Sequence, residues 1–321
     1  MKIMEKNPLI SVIVPFYNRE KRLGQTLKSI ACQTYSPIEL ILVDNESTDG
    51  SLAVCEAFQS TNSHEGFQVI LLRECQKGAN AARNAGFRAS SGNYLFFFDS
   101  DDRLYPESLA TIISNLSIFG FPEIIIFPFK LRLSNDQIAN RPHRFSSKPA
   151  DQLFDPVILT NNVCISHSLA LKNGLWDETL QRWQDLEYGF RLLLNAKNVY
   201  WIKGKPLYEV FTHKNSISGN SYCLDHKILF ASLSKIQDII NGLPFGNKRD
   251  KIQRALCFKI CSMAAQIRQE NNKELSKKYL SEALNKLPAN KRDFSRMILK
   301  IHYFYTGHGG RGFWRLAEKI F

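Results

Sequence analysis

The chain has no apolar run long enough to cross a bilayer. Its best candidate, Phe121-Pro-Glu-Ile-Ile-Ile-Phe-Pro-Phe129, is short and broken by prolines, whereas a spanning helix needs about 20 apolar residues. The N-terminus lacks the long apolar core of a secretory leader, so a cytoplasmic protein is expected. The seven cysteines (Cys32, Cys55, Cys75, Cys164, Cys223, Cys257 and Cys261) are an odd number without metal-ligand spacing. They are expected to be reduced thiols, with Cys257 and Cys261, one helical turn apart, serving packing. No G-x-G-x-x-G follows the first strand-like run, which disfavours a dinucleotide oxidoreductase. Zinc-finger spacing, an aromatic RNA-binding signature and a recognisable helix-turn-helix are also missing, so nucleic acid is not an expected partner despite a formal net charge of +12.

That charge is unevenly placed. Residues 1–225 carry 23 basic and 23 acidic side chains, and residues 226–321 carry 19 and 7. A chain of 321 residues has room for one full domain and one appended unit, and the charge step puts the boundary between residues 225 and 226. The basic part reads as helices over Ile228–Ile240, Lys251–Gln269, Lys273–Leu287 and Arg292–Tyr305, broken at Gly242-Leu-Pro244 and Leu287-Pro-Ala289. Arg292–Tyr305 and Gly312–Phe321 mix basic with bulky apolar residues. Two readings stand side by side: a peripheral surface for an anionic membrane, or a helical cap whose apolar stripe packs on the first domain.

The most informative stretch is Tyr94-Leu-Phe-Phe-Phe98 followed by Asp99-Ser-Asp-Asp102. A buried strand that ends in three carboxylates places them where the chain leaves the core. Oxygen ligands this close together suit a hard divalent ion, Mg²⁺ or Mn²⁺, which binds one or two carboxylates and fills its shell with substrate phosphate. The plainer reading is an acidic turn capping the next helix. Three further strands are expected: Leu9–Val14 leading to Pro15, Ile38–Val43 leading to Asp44, and Phe67–Leu72 leading to the Ala-rich helix start Lys77–Gly86. Alternating strand and helix imply an α/β fold with a mainly parallel sheet flanked by helices. Ligands bind such sheets at the carboxyl ends of the strands, so Pro15, Asp44 and Asp99 are expected to share one crevice.

In this order, Val14-Pro-Phe-Tyr-Asn18, Val43-Asp-Asn-Glu-Ser-Thr-Asp49, Ala82-Arg-Asn-Ala-Gly86 and Phe98-Asp-Ser-Asp-Asp102 resemble the family 2 glycosyltransferases, inverting enzymes of the GT-A fold that use nucleotide-sugar donors. The resemblance continues through Leu175-Trp-Asp-Glu-Thr-Leu180 and Trp183-Gln-Asp-Leu-Glu187 and ends near Phe211–Ser218, at about two thirds of the chain. It implies a GT-A catalytic domain over 1–225 and a basic helical C-terminal region over 226–321.

The resemblance also implies roles. Pro15 and Tyr17 would lie along the nucleotide base, and Asp44 would accept a hydrogen bond from the imide of uracil or thymine, or cap its turn, or do both. Arg83 would meet the diphosphate, against the plainer reading of a solvated arginine on a helix face. Asp99 and Asp101 match the family's ribose- and metal-binding pair, with Asp101 the expected direct ligand and Asp102 a helper or a helix cap. His213 would meet the metal or the diphosphate. Asp185 is the candidate general base, on a helix expected over Gln181–Leu194. Similar enzymes carry Glu-Asp here and this chain carries Gln184-Asp185, a departure that bears on acceptor binding. Glu187 points elsewhere along the helix, and His64, His143, His167, His226, His302 and His308 are expected to be structural or solvated. The region from Lys130 to Asn162 fits the family poorly and is expected to include acceptor-facing loops.

The implied function is a metal-dependent inverting glycosyltransferase. Its donor would be a nucleoside-diphosphate sugar, expected to be UDP-linked, and its acceptor a saccharide or a lipid-linked molecule in surface polysaccharide or glycolipid synthesis, at the inner face of the cell membrane. The alternative is a catalytically weak nucleotide-sugar-binding scaffold that engages a partner through its basic tail.

Overall fold

The computed structural model describes residues 7–133, 137–139, 144–212, 221–290 and 292–321. The chain divides into two compact units. One comprises Met1–Ser147, Ile158–Thr179 and Asn195–Lys214; the other comprises Lys148–Val157, Leu180–Leu194 and Asn215–Phe321.

In the first unit strand and helix alternate: β1 (Ile10–Phe16), α1 (Glu20–Ala31), β2 (Ile38–Asp44), α2 (Ser51–Asn62), β3 (Phe67–Arg73), α3 (Ala79–Ala89) and β4 (Tyr94–Phe97). The chain continues through β5 (Arg103–Leu104), α4 (Ser108–Ile118), β6 (Ile124–Ile126), β7 (Phe129–Arg132) and β8 (Ile138–Ala139). After α5 (Pro149–Phe154), which belongs to the other unit, come β9 (Val163–Ser166) and α6 (His167–Asn173). α7 (Gln184–Asn195), almost wholly in the other unit, precedes β10 (Val199–Trp201) and β11 (Tyr208–Phe211). The main sheet has the order β10-β6-β9-β4-β1-β2-β3, with β1 parallel to both neighbours and β9 antiparallel to β4 and β6. A small second sheet has the order β5-β11-β7-β8. The expected mainly parallel α/β fold is present. Between Lys130 and Asn162, where the expectation was a region that includes loops, the described residues also form two short strands and a helix.

β1 and β2 are buried along their whole length, as strands covered on both faces must be. Their near-continuous apolar runs contain Ser11 and Glu39, which satisfy each other. Ser11 Oγ donates to Glu39 Oε2 at 2.5 Å, and Glu39 also accepts the Ser91 N–H at 3.0 Å and hydroxyl at 2.6 Å. The face of α3 that packs on this sheet has no room to spare. A Cβ at Gly86 would lie 2.4 Å from Ile13 Cγ2 and 3.2 Å from Val43 Cγ2. The glycine of the Ala-Arg-Asn-Ala-Gly motif thus sets how closely α3 approaches β1 and β2.

The turn after β4 is fastened by Asp102. Its Oδ1 accepts the Phe211 N–H at 3.1 Å, its Oδ2 accepts the Asn161 amide, and its carbonyl accepts the Thr26 hydroxyl at 2.8 Å. Both carboxylate oxygens are therefore committed, and α4 begins at Ser108 without a side-chain cap, so of the two roles expected of Asp102, helper and helix cap, the cap is absent and the residue is a fastening. Burial, with the Asp99 and Asp101 charges adding to it, pushes the Asp102 carboxyl well above the usual carboxylate range, and the Phe211 and Asn161 hydrogen bonds oppose this.

The second unit is helical: α5 and α7 with α8 (His226–Asn241), α9 (Asn247–Gln269), α10 (Lys273–Asn285), α11 (Arg292–Gly307) and α12 (Trp314–Ile320). α9 supplies much of its core, with Ile252, Leu256, Phe258, Ile260, Met263 and Ile267 buried. Phe154 of α5 packs against Phe258 and Phe321. The four helices expected after residue 226 are present with shifted ends, and α12 adds a fifth. The apolar stripe of α11 that includes Ile298, Leu299 and Tyr303 is buried within this unit. α7 begins at Gln184 rather than Gln181 because Trp183 has φ 55°, a left-handed conformation that a bulky residue cannot carry into a helix. His302 is structural: it stacks on Phe258 at 4.1 Å, bonds to Ser262 and Thr306, and is lowered by burial to about 4. All seven cysteines are free thiols, with Cys257 and Cys261 packed in the core as expected.

Asp102 gives a pH test. A carboxyl whose folded value is raised contributes stability at low pH and loses it as pH rises through the folded value. Asp102→Asn keeps a neutral group and an acceptor for Phe211. The thermal midpoint of the variant minus that of the parent should therefore grow as pH rises above the ordinary carboxylate range. Melts across a pH series that gave a constant difference would sink the assignment.

Candidate active site

The exits of β4, β1 and β2 lie side by side. β1 pairs with β2 so that Pro15 lies opposite Val43 and Phe16 opposite Asp44, and Ile13 of β1 lies opposite Phe97 at the end of β4. Pro15, Tyr17, Asp44, Asp99 and Asp101 are thereby gathered at one edge of the sheet, as expected from their places after strands. Pro15 is buried in the strand end, and Tyr17 is 49% exposed, an open phenol beside the crevice.

Asp44 is 1% exposed. Its Oδ1 accepts the Ser47 N–H at 3.0 Å, which closes the turn after β2. Its Oδ2 is buried without a hydrogen-bond partner. Most buried polar atoms are paired, so an orphan acceptor here calls for an explanation. The turn role and a free acceptor coexist in one side chain. Neighbouring segments hold the turn in place: Asn18, at φ 52°, accepts the Thr48 N–H at 2.8 Å, and the Arg19 N–H donates to Ser51 Oγ at 2.7 Å.

Arg83 is 5% exposed, which overturns the solvated reading. Its guanidinium donates to Asn80 Oδ1 at 3.1 Å and to Asp99 Oδ1 at 3.2 Å, and it lies 4.9 Å from the centre of the Trp176 ring. Its Nε is buried without a partner. Three polar residues one turn apart, Asn80, Arg83 and Asn84, form the active face of the Ala-rich α3. Asn80 donates to the Asp177 carbonyl at 2.7 Å. Asn84 exchanges hydrogen bonds with the Trp176 backbone, both at 2.9 Å, and donates to Glu178 at 2.7 Å. Upstream, Asn45 bonds the Glu74 and Gln76 carbonyls and the Gly78 N–H, where Gly78 has φ 131°. That left-handed turn, open to glycine, launches α3 toward the crevice. Asn45, Asn80, Asn84 and Trp176 were not singled out from the sequence, although the i, i+3, i+4 spacing on α3 was there to be seen.

Asp99 and Asp101 each keep a path to solvent, with side chains 39% and 16% exposed. Burial raises the Asp99 carboxyl, Arg83 opposes it, and Asp101 raises it further. Asp101 lies 3.7 Å from Arg19 Nε. Among the described residues no group of three or more His, Cys, Asp or Glu forms a ready metal cage. The donors are still of the type a hard divalent cation takes: two carboxylates in one turn, each partly open to solvent.

The remaining expectations divide. His213 lies outside the described residues. Asp185 opens α7 in the helical unit, where its Oδ1 accepts the Leu186 N–H at 2.9 Å and its carbonyl accepts from Gln152 at 3.4 Å. Glu187 is buried and gripped by both arms of Arg191, a structural carboxylate. Trp183, ahead of Asp185, has Lys259 4.9 Å from its ring centre and Tyr222 edge-on.

Comparisons with known proteins bear on this arrangement. The family model for glycosyl transferase family 2 matches residues 11–155, from β1 to the end of α5. GlyA, a glycosyltransferase of Streptococcus pneumoniae, is 38% identical over 107 residues, 33% of this chain and 15% of that protein. An uncharacterised glycosyltransferase of Haemophilus influenzae is 28% identical over 219 residues, 65% of this chain and 71% of that one. Three relatives in S. pneumoniae and Escherichia coli are matched over 15%, 31% and 34% of their own length, so the chain spans about a third of them or less. Residues 1–349 of Staphylococcus aureus TarS, solved alone and with UDP-GlcNAc, superpose with TM-scores of 0.71 and 0.68 at 18% identity, over 97% of this chain and 90% of that one; at this identity the likeness is one of fold. The family model thus matches the very strands whose exits form the crevice, and a GT-A fold like that of TarS extends along nearly the whole chain, so residues 11–155 are similar to the family 2 glycosyltransferases.

Proposed function

We propose that this chain transfers a sugar, with inversion, from a nucleoside-diphosphate sugar to a saccharide or lipid-linked acceptor in surface polysaccharide or glycolipid synthesis. The observation that carries the donor part is Asp44 Oδ2, a buried acceptor without a partner at the exit of β2. The imide N–H of uracil is a donor of the kind it lacks, with the Tyr17 ring beside it as a stacking surface. Uridine diphosphate is accordingly the expected nucleotide, and UDP-GlcNAc in the TarS complex agrees with that choice of base. A cytoplasmic location, at the inner face of the cell membrane when the acceptor is lipid-linked, goes with this reading.

Arg83 is placed to neutralise diphosphate charge, since its guanidinium is permanently ionised and preoriented by Asn80, Asp99 and Trp176. Asp99 and Asp101 would hold Mg²⁺ or Mn²⁺, which supplies positive charge for the departing nucleoside diphosphate. Asp185 is the general base: it takes the proton of the acceptor hydroxyl as that oxygen bonds to the anomeric carbon and the carbon–phosphate oxygen bond breaks. Attack from the face opposite the leaving group inverts the anomeric centre, and no covalent intermediate forms.

Three outcomes test this reading. Asp44→Asn keeps the Ser47 contact but replaces an acceptor with a donor, so UDP affinity by calorimetry should fall on the order of tenfold to a hundredfold. Cytidine diphosphate, which presents an acceptor at the same ring position, should be spared, and an equal loss for both nucleotides would remove Asp44 from base recognition. Asp101→Ala should abolish the part of UDP affinity that depends on Mn²⁺ while leaving the thermal midpoint near that of the parent. Affinity with Mn²⁺ unchanged from the parent would show that Asp101 is no ligand. Asp185→Asn should leave donor affinity nearly constant and lower turnover by roughly two to four orders of magnitude. Normal turnover in that variant would exclude Asp185 as the base, whereas donor binding without transfer by the parent, across a broad acceptor panel, would favour the scaffold.

A further inference from the structure

α11 is apolar on two sides. One side, with Ile298, Leu299 and Tyr303, is core of the helical unit. The other comprises Phe294, Met297, Ile301, Phe304 and Tyr305, each between 47% and 54% exposed. In a helix these five positions fall within an arc of about 100°. A contiguous stripe of large apolar side chains left open to water marks a surface that something else covers. Arg296 and Lys300, with one carboxylate, Asp293, line the same shallow groove as Met297, Ile301, Phe304 and Tyr305. The ion pairs of the described residues include neither cation. Over residues 292–321 there are six basic and two acidic side chains.

We propose that this face of α11 docks on an anionic lipid surface. The occupant follows from the pairing of chemistries. The apolar stripe fits the boundary between headgroups and acyl chains, and Arg296 and Lys300, on its flank, can extend their stems along that stripe and place their charges among lipid phosphates. A second copy of the chain is a poorer occupant, because Arg292, Arg296, Lys300 and Asp293 would bring two net positive charges from each copy together. A neutral apolar partner would leave the cations desolvated without counter-charges. Docking through α11 is separate from the transfer chemistry, so either can fail without the other.

The test uses the full chain in co-sedimentation with phosphatidylcholine vesicles, either pure or with about a quarter phosphatidylglycerol. The parent should bind the anionic vesicles, and binding should weaken with salt, because exposed charges are screened over about 8 Å at physiological ionic strength. The double change Ile301→Ser, Phe304→Ser should lower affinity on the order of tenfold or more. The double change Arg296→Gln, Lys300→Gln should lower it on the order of tenfold and flatten the salt dependence. All four positions lie on the exposed side, so circular dichroism and thermal midpoint should match the parent in both variants. Asp185→Asn should bind vesicles as the parent does. The proposal is overturned if the parent ignores anionic vesicles at low salt, if it binds neutral vesicles equally well, or if sedimentation shows a parent dimer that the Ile301/Phe304 variant converts to monomer.

Discussion

A guanidinium cannot shed its proton at any pH a protein meets, so burying one obliges the surroundings to supply acceptors. Arg83, 5% exposed, imposes that condition on much of the first unit. It needs Asp99 across from it, which ties α3 to the exit of β4. Asn80 and the Trp176 ring complete its surroundings, and Asn84 in turn pins the Trp176–Glu178 segment to the same helix. α3 reaches this position because Gly86 lets it sit against Ile13 and Val43, and because Asn45 and Gly78 shape the turn that starts it. The same residues thus serve packing and the site at once.

The carboxylates at the exit of β4 divide their work by environment. Asp99 faces the arginine, Asp101 keeps a partly open face near Arg19, and Asp102 is committed to Phe211 and Asn161. Three negative groups within four residues could not all ionise in a dry setting. The chain separates them by direction: Asp99 toward Arg83 and in part toward solvent, Asp101 toward Arg19, and Asp102 inward where its carboxyl is pushed up. A comparable cluster on the small sheet ends differently. Glu209 is buried, which alone would raise it, yet Arg132, Tyr105 and Arg103 hold it below the usual range. The opposite shifts follow from the neighbours: carboxylates beside buried Asp102, cations and a phenol beside buried Glu209.

The helical unit follows its own rule. α9 is buried on most of its sides by α5, α8, α10 and α11, so its six basic and one acidic side chains are confined to few directions. α11 shows what this leaves over: after its inward stripe has been used in the core, a second apolar stripe remains on the outside.

Much of the first unit was legible in the sequence. The strands β1 to β4 announce themselves as apolar runs ended by turn residues, and parallel alternation alone puts Pro15, Asp44 and Asp99 at one edge. The helices after residue 226 were equally readable, because a 3.6-residue period survives without knowledge of partners. The short strands β6 to β10 were not, since two to four residues between prolines and polar segments carry no clear period. The start of α7 was also missed, because the left-handed turn at Trp183 has no local signature. Side-chain states were beyond reach for a different reason. Asp102 meets Phe211 109 residues away, and Asn84 meets Trp176 92 residues away. The sequence by itself determined which residues stand at the strand exits, because strand period and strand order are local and topological matters. Only the tertiary structure decided that Arg83 is buried, that Asp102 is a fastening, and that one oxygen of Asp44 closes a turn while the other is left without a partner, because hydrogen-bond partners and desolvation come from segments distant along the chain.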